Sequence, residues 1–324
     1  MRLPSAFLFL LACTGAPATA QMVTQVDTTG QAGAPVDQAT QTHEAKIASD
    51  AWQRLTVPVS VGGRGPFQFL VDTGADRTAV SRQVAGRLGL APGPVAQMHS
   101  VTGISQVRTT TVRGLQISDK VLPTVEAPLL DAEHVGADGI LGTDALRAQR
   151  VEFDFRKELL SITPSTARPP RDEEGTIVVQ ASRREGRLIV TGAEADRTRL
   201  TVVLDTGSEV TIGNSALRRS LQRRGMLRFT GRVKLLSVTG ETIEGDYTVL
   251  EHLNVGDVEM RNLAVVFTDA HTFKQMKLES RPALLLGMNA LRAFDKVAID
   301  FANRKLRLLM PRTSGRAPVM LAAR

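Results

Sequence analysis

FLVDTGADRTAV at 69–80 returns 133 residues further along the chain as VVLDTGSEVTIG at 202–213. Each copy is an apolar run, then Asp-Thr-Gly, then an acidic residue two places on and a threonine two after that. Three more matches keep the same order. SVTG at 100–103 recurs at 237–240, GILGTDALR at 139–147 recurs as LLLGMNALR at 284–292, and VEFDF at 151–155 recurs as VAIDF at 297–301. Four matches in one order mark a duplication, with slightly longer loops in the second copy.

The texture of each copy is β. RLTVPVSV (54–61) alternates, GGRGPF (62–67) reads as a Gly/Pro hairpin turn, and QVRTTTVRGLQI (106–117) and GRVKLLSV (231–238) read as strands. Short helices are expected near 79–88, 143–149, 215–223 and 288–294, and terminal hairpins at DFRKELLSI and DFANRKLRLL. The predicted fold class is all-β: two β-barrel lobes related by a pseudo-twofold axis, with a few short helices and the active site between them.

A single Asp-Thr-Gly is an ordinary turn. Here each Asp follows a continuous apolar strand, at the edge of a core where a carboxylate is costly unless it is used or paired. Thr adds a hydroxyl for a neighbouring backbone group, and Gly lets the chain turn back toward the carboxylate. Two such loops face to face give two carboxyls that share a proton, one a base toward water and the other an acid toward a carbonyl. That chemistry hydrolyses peptides with neither a metal nor a nucleophilic side chain.

The sequence resembles the aspartyl proteases, most closely the retropepsin-like aspartyl proteases of bacteria, over about 54–163 and 187–310. GPFQFLVDTGA with DGILGTDALR and VVLDTGS with LLLGMNALR carry the resemblance. It implies that Asp72 and Asp205 are the catalytic pair, that Thr73 and Thr206 brace the two loops across the axis, and that Gly74, Gly207 and Ser208 support the pair. It also implies that Ile140-Leu141-Gly142 and Leu285-Leu286-Gly287 support the loops from beneath. Flaps would come from Val101, Thr102 and Gly103 and from Val238, Thr239 and Gly240, with plain surface hairpins as the other reading. Asp76 would contact substrate backbone; for Glu209 a substrate contact and a surface salt bridge are equally open. Tyr247, the only tyrosine, lies outside both SVTG segments, which fits two-flap closure. Ser208, where the first copy has Ala75, is expected to hydrogen-bond Asp205 and make it the more acidic partner.

The remaining composition narrows the setting. Residues 1–20 read as a signal peptide: Arg2, the apolar AFLFLLA (6–12), and the Ala18-Thr19-Ala20 cleavage spacing. A lipoprotein signal with a lipid anchor at Cys13 is the rival, but the Ala-x-Ala site favours a soluble, exported, periplasmic protein. Cys13 is the only cysteine, so cleavage after Ala20 leaves no thiol chemistry. The five histidines (43, 99, 134, 252, 271) have no ligand spacing, and neither a metal nor a cofactor is expected. The net charge of +7 comes mostly from dispersed Arg, which argues for a solvated surface and not a nucleic-acid site. A flexible lead-in is expected at 21–50, the first lobe at 51–163, a linker at 164–186, the second lobe at 187–311 and a frayed tail at 312–324.

The function expected is an aspartic endopeptidase that binds an extended peptide of an envelope or periplasmic protein and works as a monomer. A catalytically silent peptide-binding module on the same fold is the alternative. Pairing of each lobe with its twin in another molecule is a third arrangement, disfavoured by the covalent link.

Overall fold

The computed structural model describes residues 24–27, 56–117, 120–122, 124–167, 171–227 and 229–311. The expected signal peptide, Cys13, most of the lead-in and the tail at 312–324 lie outside the described residues. Among the described residues no helix is long and apolar enough to cross a membrane.

The chain folds as two β lobes and a shared sheet. In the first lobe the strands run, in spatial order, 92–99, 104–112, 125–130, 79–81, 139–141, 64–71, 56–61, 115–117 and 120–121. The strand Arg64–Val71 begins exposed and ends buried on both faces at Phe69, Leu70 and Val71. Its hairpin partner, Thr56–Val61, is joined to it through Gly62 and Gly63, at φ 56° and 74°, a backbone that glycine adopts without a Cβ clash. The expected strand at 106–117 is interrupted: Gly114, at φ 64°, ends Ile104–Val112 and starts Leu115–Ile117 on a different neighbour.

The second lobe closes. Strands 187–195, 198–204, 283–286, 211–213, 258–267 and 242–255 bond in a ring, a six-stranded barrel. Closure depends on the 14-residue strand Thr242–Val255, whose far end pairs Leu253 and Asn254 with Ala195 and Glu194. The first lobe makes the matching contact, Leu115–Ile117 against Val59–Val61, but there the equivalent strand is broken at Gly114.

Helices are short and capped as their sequences dictate. Ser81 accepts from the Val84 amide to start Arg82–Leu88, and Asn214 accepts from the Leu217 amide to start Ser215–Arg223. Each buries one face, Val84 and Ala85 in the first and Ala216, Leu217 and Leu221 in the second. Thr143–Leu146 and Met288–Leu291 follow the Leu-Gly segments, shorter than expected. Ala132–Val135 and His271–Gln275 occupy matching places in the two lobes and were not expected from periodicity.

The stretch 164–186 is not a bare linker. Thr176–Gln180 forms the edge of a five-stranded sheet with both terminal hairpins, in the order 159–164, 149–154, 296–300, 305–309, 176–180. Val151 lies opposite Ile299 and Phe153 opposite Val297, so the repeated VEFDF and VAIDF strands pair with each other across the lobes. All four of these side chains are buried in the main core, which spans both lobes. Within the expected lead-in, Thr24–Asp27 is a strand paired parallel to Val258–Arg261 of the second lobe.

Candidate active site

The two Asp-Thr-Gly loops meet where the apolar strands Arg64–Val71 and Thr198–Leu204 end. Thr73 Oγ1 donates to the Leu204 carbonyl at 2.8 Å, and Thr206 Oγ1 donates to the Val71 carbonyl at 2.8 Å. Each oxygen also accepts the other threonine's amide, at 3.1 Å in both directions. Both threonines are buried, so this four-bond exchange is shielded from water.

The glycines admit the opposite carboxyl. A Cβ on Gly74 would lie 2.6 Å from Asp205 Oδ1 and 3.1 Å from Asp72 Oδ1, so the two carboxyls flank one point. A Cβ on Gly207 would overlap the Asp72 carboxyl. Glycine is thus required by the other lobe's aspartate, besides letting Gly74 N–H donate to Asp72 at 2.7 Å.

Support comes from beneath. Gly139–Leu141 runs parallel to Phe69–Val71, and Ala283–Leu286 runs parallel to Thr201–Leu204. The Leu141 and Leu286 carbonyls accept the amides of Asp72 and Asp205, at 3.0 and 3.1 Å. Ile140 and Leu285 face apolar clusters beside the cleft. Gly142 and Gly287 pass so close to the Arg77 and Val210 backbones that a Cβ would collide with either.

Asp205 is buried and Asp72 half-buried. Burial, and then the Asp72 charge, push Asp205 up to about 7, against the opposing pull of Arg187 and the Gly207 and Ser208 amides. Burial also raises Asp72, opposed by the Gly74 amide, Arg187 and the Ala75 amide. Asp72 accepts two N–H bonds, at 2.7 and 3.1 Å, and two carboxyls this close share one proton, since ionising one raises the other.

The expectation for Ser208 is overturned. Its hydroxyl donates to the Val210 carbonyl at 2.7 Å, and its own carbonyl accepts the Met288 amide. Ser208 therefore holds the loop's shape, and the hydroxyl bond expected to favour ionised Asp205 is not made.

Both halves of the chain match family models of this type. Residues 57–148 match the "gag-polyprotein putative aspartyl protease" model, and residues 190–290 match the "Aspartyl protease" model. The chain carries two aspartyl protease domains in tandem, duplicated within one polypeptide. A retropepsin-like aspartic protease from Rickettsia conorii, known from a crystal structure, is similar at 21% identity over 41% of this chain and 89% of its own, with a TM-score of 0.28. No curated protein matches.

Around this family core, Arg187 of the second lobe reaches into the first-lobe loop, a role the sequence reading missed. Buried to 5% exposure, it donates through Nε to the Gly74 carbonyl at 2.7 Å and lies 3.5 Å from Asp76. Only the repeated Arg-Leu-x-Val at 54–57 and 187–190, each 18 residues before its Asp, signalled it in the sequence. Asp76 keeps one buried oxygen, Oδ1, without a hydrogen-bond partner. Glu209 instead forms a two-bond ion pair with Arg292, at 2.6 and 3.1 Å.

Both SVTG segments are hairpin turns. Pro92–His99 pairs with Ile104–Val112, and Phe229–Leu236 pairs with Thr242–Val255. Each turn holds a serine–threonine hydroxyl contact, Ser100 with Thr102 at 2.8 Å and Ser237 with Thr239 at 2.9 Å. Gly103 and Gly240 have positive φ, 150° and 87°. Glu241 of the second hairpin accepts from Thr102 at 2.7 Å and from Ser105 at 3.0 Å, joining the two. Val101 packs on the apolar cluster of the second lobe and Val238 on that of the first, so each hairpin reaches across. A cavity of about 960 Å³ lies between loops and hairpins, lined by Asp72, Asp205, Arg187, Ile140, Ile212 and Val238, among others.

Proposed function

We propose that this chain is an aspartic endopeptidase that cleaves an extended peptide between its lobes. One observation carries the reading: two aspartates from different lobes, their carboxyls flanking one point, line a cleft spanned by two hairpins. A peptide laid along hairpin edges gains main-chain hydrogen bonds, and its side chains enter pockets alternately. The cleft wall carries apolar side chains of both lobes, Val107, Val135 and Ile140 of the first and Val210 and Ile212 of the second. This lining favours apolar side chains. The unpaired Asp76 Oδ1 suits a substrate amide.

In the reaction, ionised Asp72 takes a proton from a water as its oxygen attacks the peptide carbon. Protonated Asp205 gives its proton to the carbonyl oxygen. The tetrahedral diol collapses as Asp72 returns the proton to the amide nitrogen and Asp205 recovers its own. The C–N bond breaks, giving a carboxylic acid and an amine. The hairpins exclude bulk water, which strengthens each of these transfers.

The leader expected at 1–20 supports export and substrates among envelope proteins. Cleavage of a peptide library by purified chain, abolished in Asp72→Asn and in Asp205→Asn variants that remain folded, is the expected result. Binding without cleavage would favour the silent peptide-binding module. Half the activity left in either variant would mean that the two aspartates do not act as one pair.

A further inference from the structure

The first hairpin is held down by a contact that the family likeness does not supply. His99, the last residue of the strand Pro92–His99, meets His271, the first residue of the helix His271–Gln275 in the opposite lobe. Their nitrogens Nδ1 and Nε2 are 2.8 Å apart, and the rings lie edge to edge, with centroids 5.0 Å apart and 19° between planes. Beside them the His271 amide donates to the Val101 carbonyl at 2.9 Å, a backbone bond between hairpin turn and opposite lobe. The second hairpin is seated differently: Gly240 lies against the His134 ring with no room for a Cβ.

We infer that His99 and His271 are a positioning pair that latches the first hairpin over the cleft, and that acid opens it by protonating both rings. Two imidazoles share a hydrogen bond while at least one facing nitrogen is bare. The neutral pair does so, and so does the singly protonated pair. With a proton on both facing nitrogens there is no acceptor, and two cations lie in contact. The bond is lost and the charges repel.

The surrounding charges do not offset this. Lys274, on the helix of His271, adds to the repulsion, and burial together with the His99 ring holds His271 below its ordinary value. Asp269, two residues before His271, is engaged by Ser215 through both its oxygens. Glu241 of the second hairpin is spent on Thr102 and Ser105. A histidine whose pKa is lower in the latched state than in the open one favours opening as pH falls. The latch is therefore present above the ordinary histidine range and lost below it.

The inference rests on the hairpin being the lid of a peptide cleft, but its test needs no cleavage. Amide hydrogen exchange of the full chain, corrected for the intrinsic pH dependence, reads the latch at the His271 amide and at Ser100, whose N–H is held by Gly103. At pH 5 these amides are expected to exchange at least about tenfold faster than at pH 8, while Ala283–Leu286 stays protected. In His271→Phe, which keeps a ring but neither titrates nor hydrogen-bonds, Ser100 is expected to exchange at one corrected rate at both pH values. His99→Phe makes the same test from the other ring, should His271→Phe lose protection at Ala283–Leu286. Equal protection at both pH values in the native chain would overturn the inference. So would a pH dependence that persists in the Phe variants, or one abolished by Glu241→Gln, which would assign it to the contact between hairpins.

Discussion

Thr73 and Thr206 each donate a hydroxyl to the strand that ends at the other's aspartate, and each accepts the other's amide. The exchange ties the two lobes at the one place where their loops must register. Because both residues are buried, losing one hydroxyl leaves the Leu204 or Val71 carbonyl and the partner amide without a partner. Thr73→Val and Thr206→Val are each expected to cost about 2–4 kcal/mol, as two buried polar groups are orphaned. Thr→Ser at either position keeps the bonds and stays within about 1 kcal/mol of the native chain. Denaturant midpoints of the four variants test this.

Gly74 and Gly207 each stand where a Cβ would strike a carboxyl of the pair. Gly207→Ala is therefore expected to lower kcat at least about hundredfold, by displacing Asp72 from its partner by roughly an ångström. Peptide turnover at saturating substrate would show it, and near-normal kcat would mean that the loops tolerate far more spread than the geometry implies.

The proton shared by the pair sets an alkaline limit. With Asp205 pushed up to about 7, kcat/KM is expected to fall as pH rises through that value. The same shift destabilises the fold. Both folded-state pKa values are raised, so the native chain holds more protons than the unfolded chain between the ordinary carboxylate value and about 7. Stability then declines with rising pH across that window. Asp205→Asn removes the penalty and is expected to gain stability relative to the native chain at pH 8 more than at pH 4, measured by thermal melts at both.

Arg187 lowers both aspartates and bonds the Gly74 carbonyl. Arg187→Gln is expected to move the alkaline limb of kcat/KM to higher pH, since removing a cation raises the pKa of a nearby acid. It is also expected to cost about 2 kcal/mol of stability for the lost charge-assisted bond. A pH profile that does not move would leave Arg187 with a purely structural role.

Gly240 has φ of 87° and packs on His134 with no space for a side chain. Gly240→Ala is expected to raise the second hairpin and increase KM by about tenfold, with kcat less affected, because closure and not the carboxyl pair is disturbed. Steady-state kinetics separates the two parameters.

Several features were legible from residues alone because they are local or repeated. The strand–Asp-Thr-Gly spelling, the apolar-apolar-Gly segments and the SVTG turns each specify a short piece of backbone, and their repetition in order specified two lobes. The helix expected near 215–223 forms at Ser215–Arg223, while its cap, Asn214, emerged only in the folded chain. The break at Gly114 was not read from the residues, which gave one strand over 106–117; which neighbours its two halves take, Val125–Pro128 for one and Val59–Val61 for the other, depended on the strand edges in reach.

The sequence by itself determined that there are two aspartate loops, and that their chemistry needs both. Tertiary structure alone decided how they are joined and tuned. Arg187 reaches Gly74 across 113 residues and His99 meets His271 across 172, and no local spacing encodes such pairs. The proton's place was also a tertiary matter. The residue after Gly207 suggested a hydrogen bond to Asp205, but the folded loop turns the Ser208 hydroxyl to Val210. Burial and the charge of Asp72 then raise Asp205, because the energy of an ionised carboxyl depends on what the fold brings beside it.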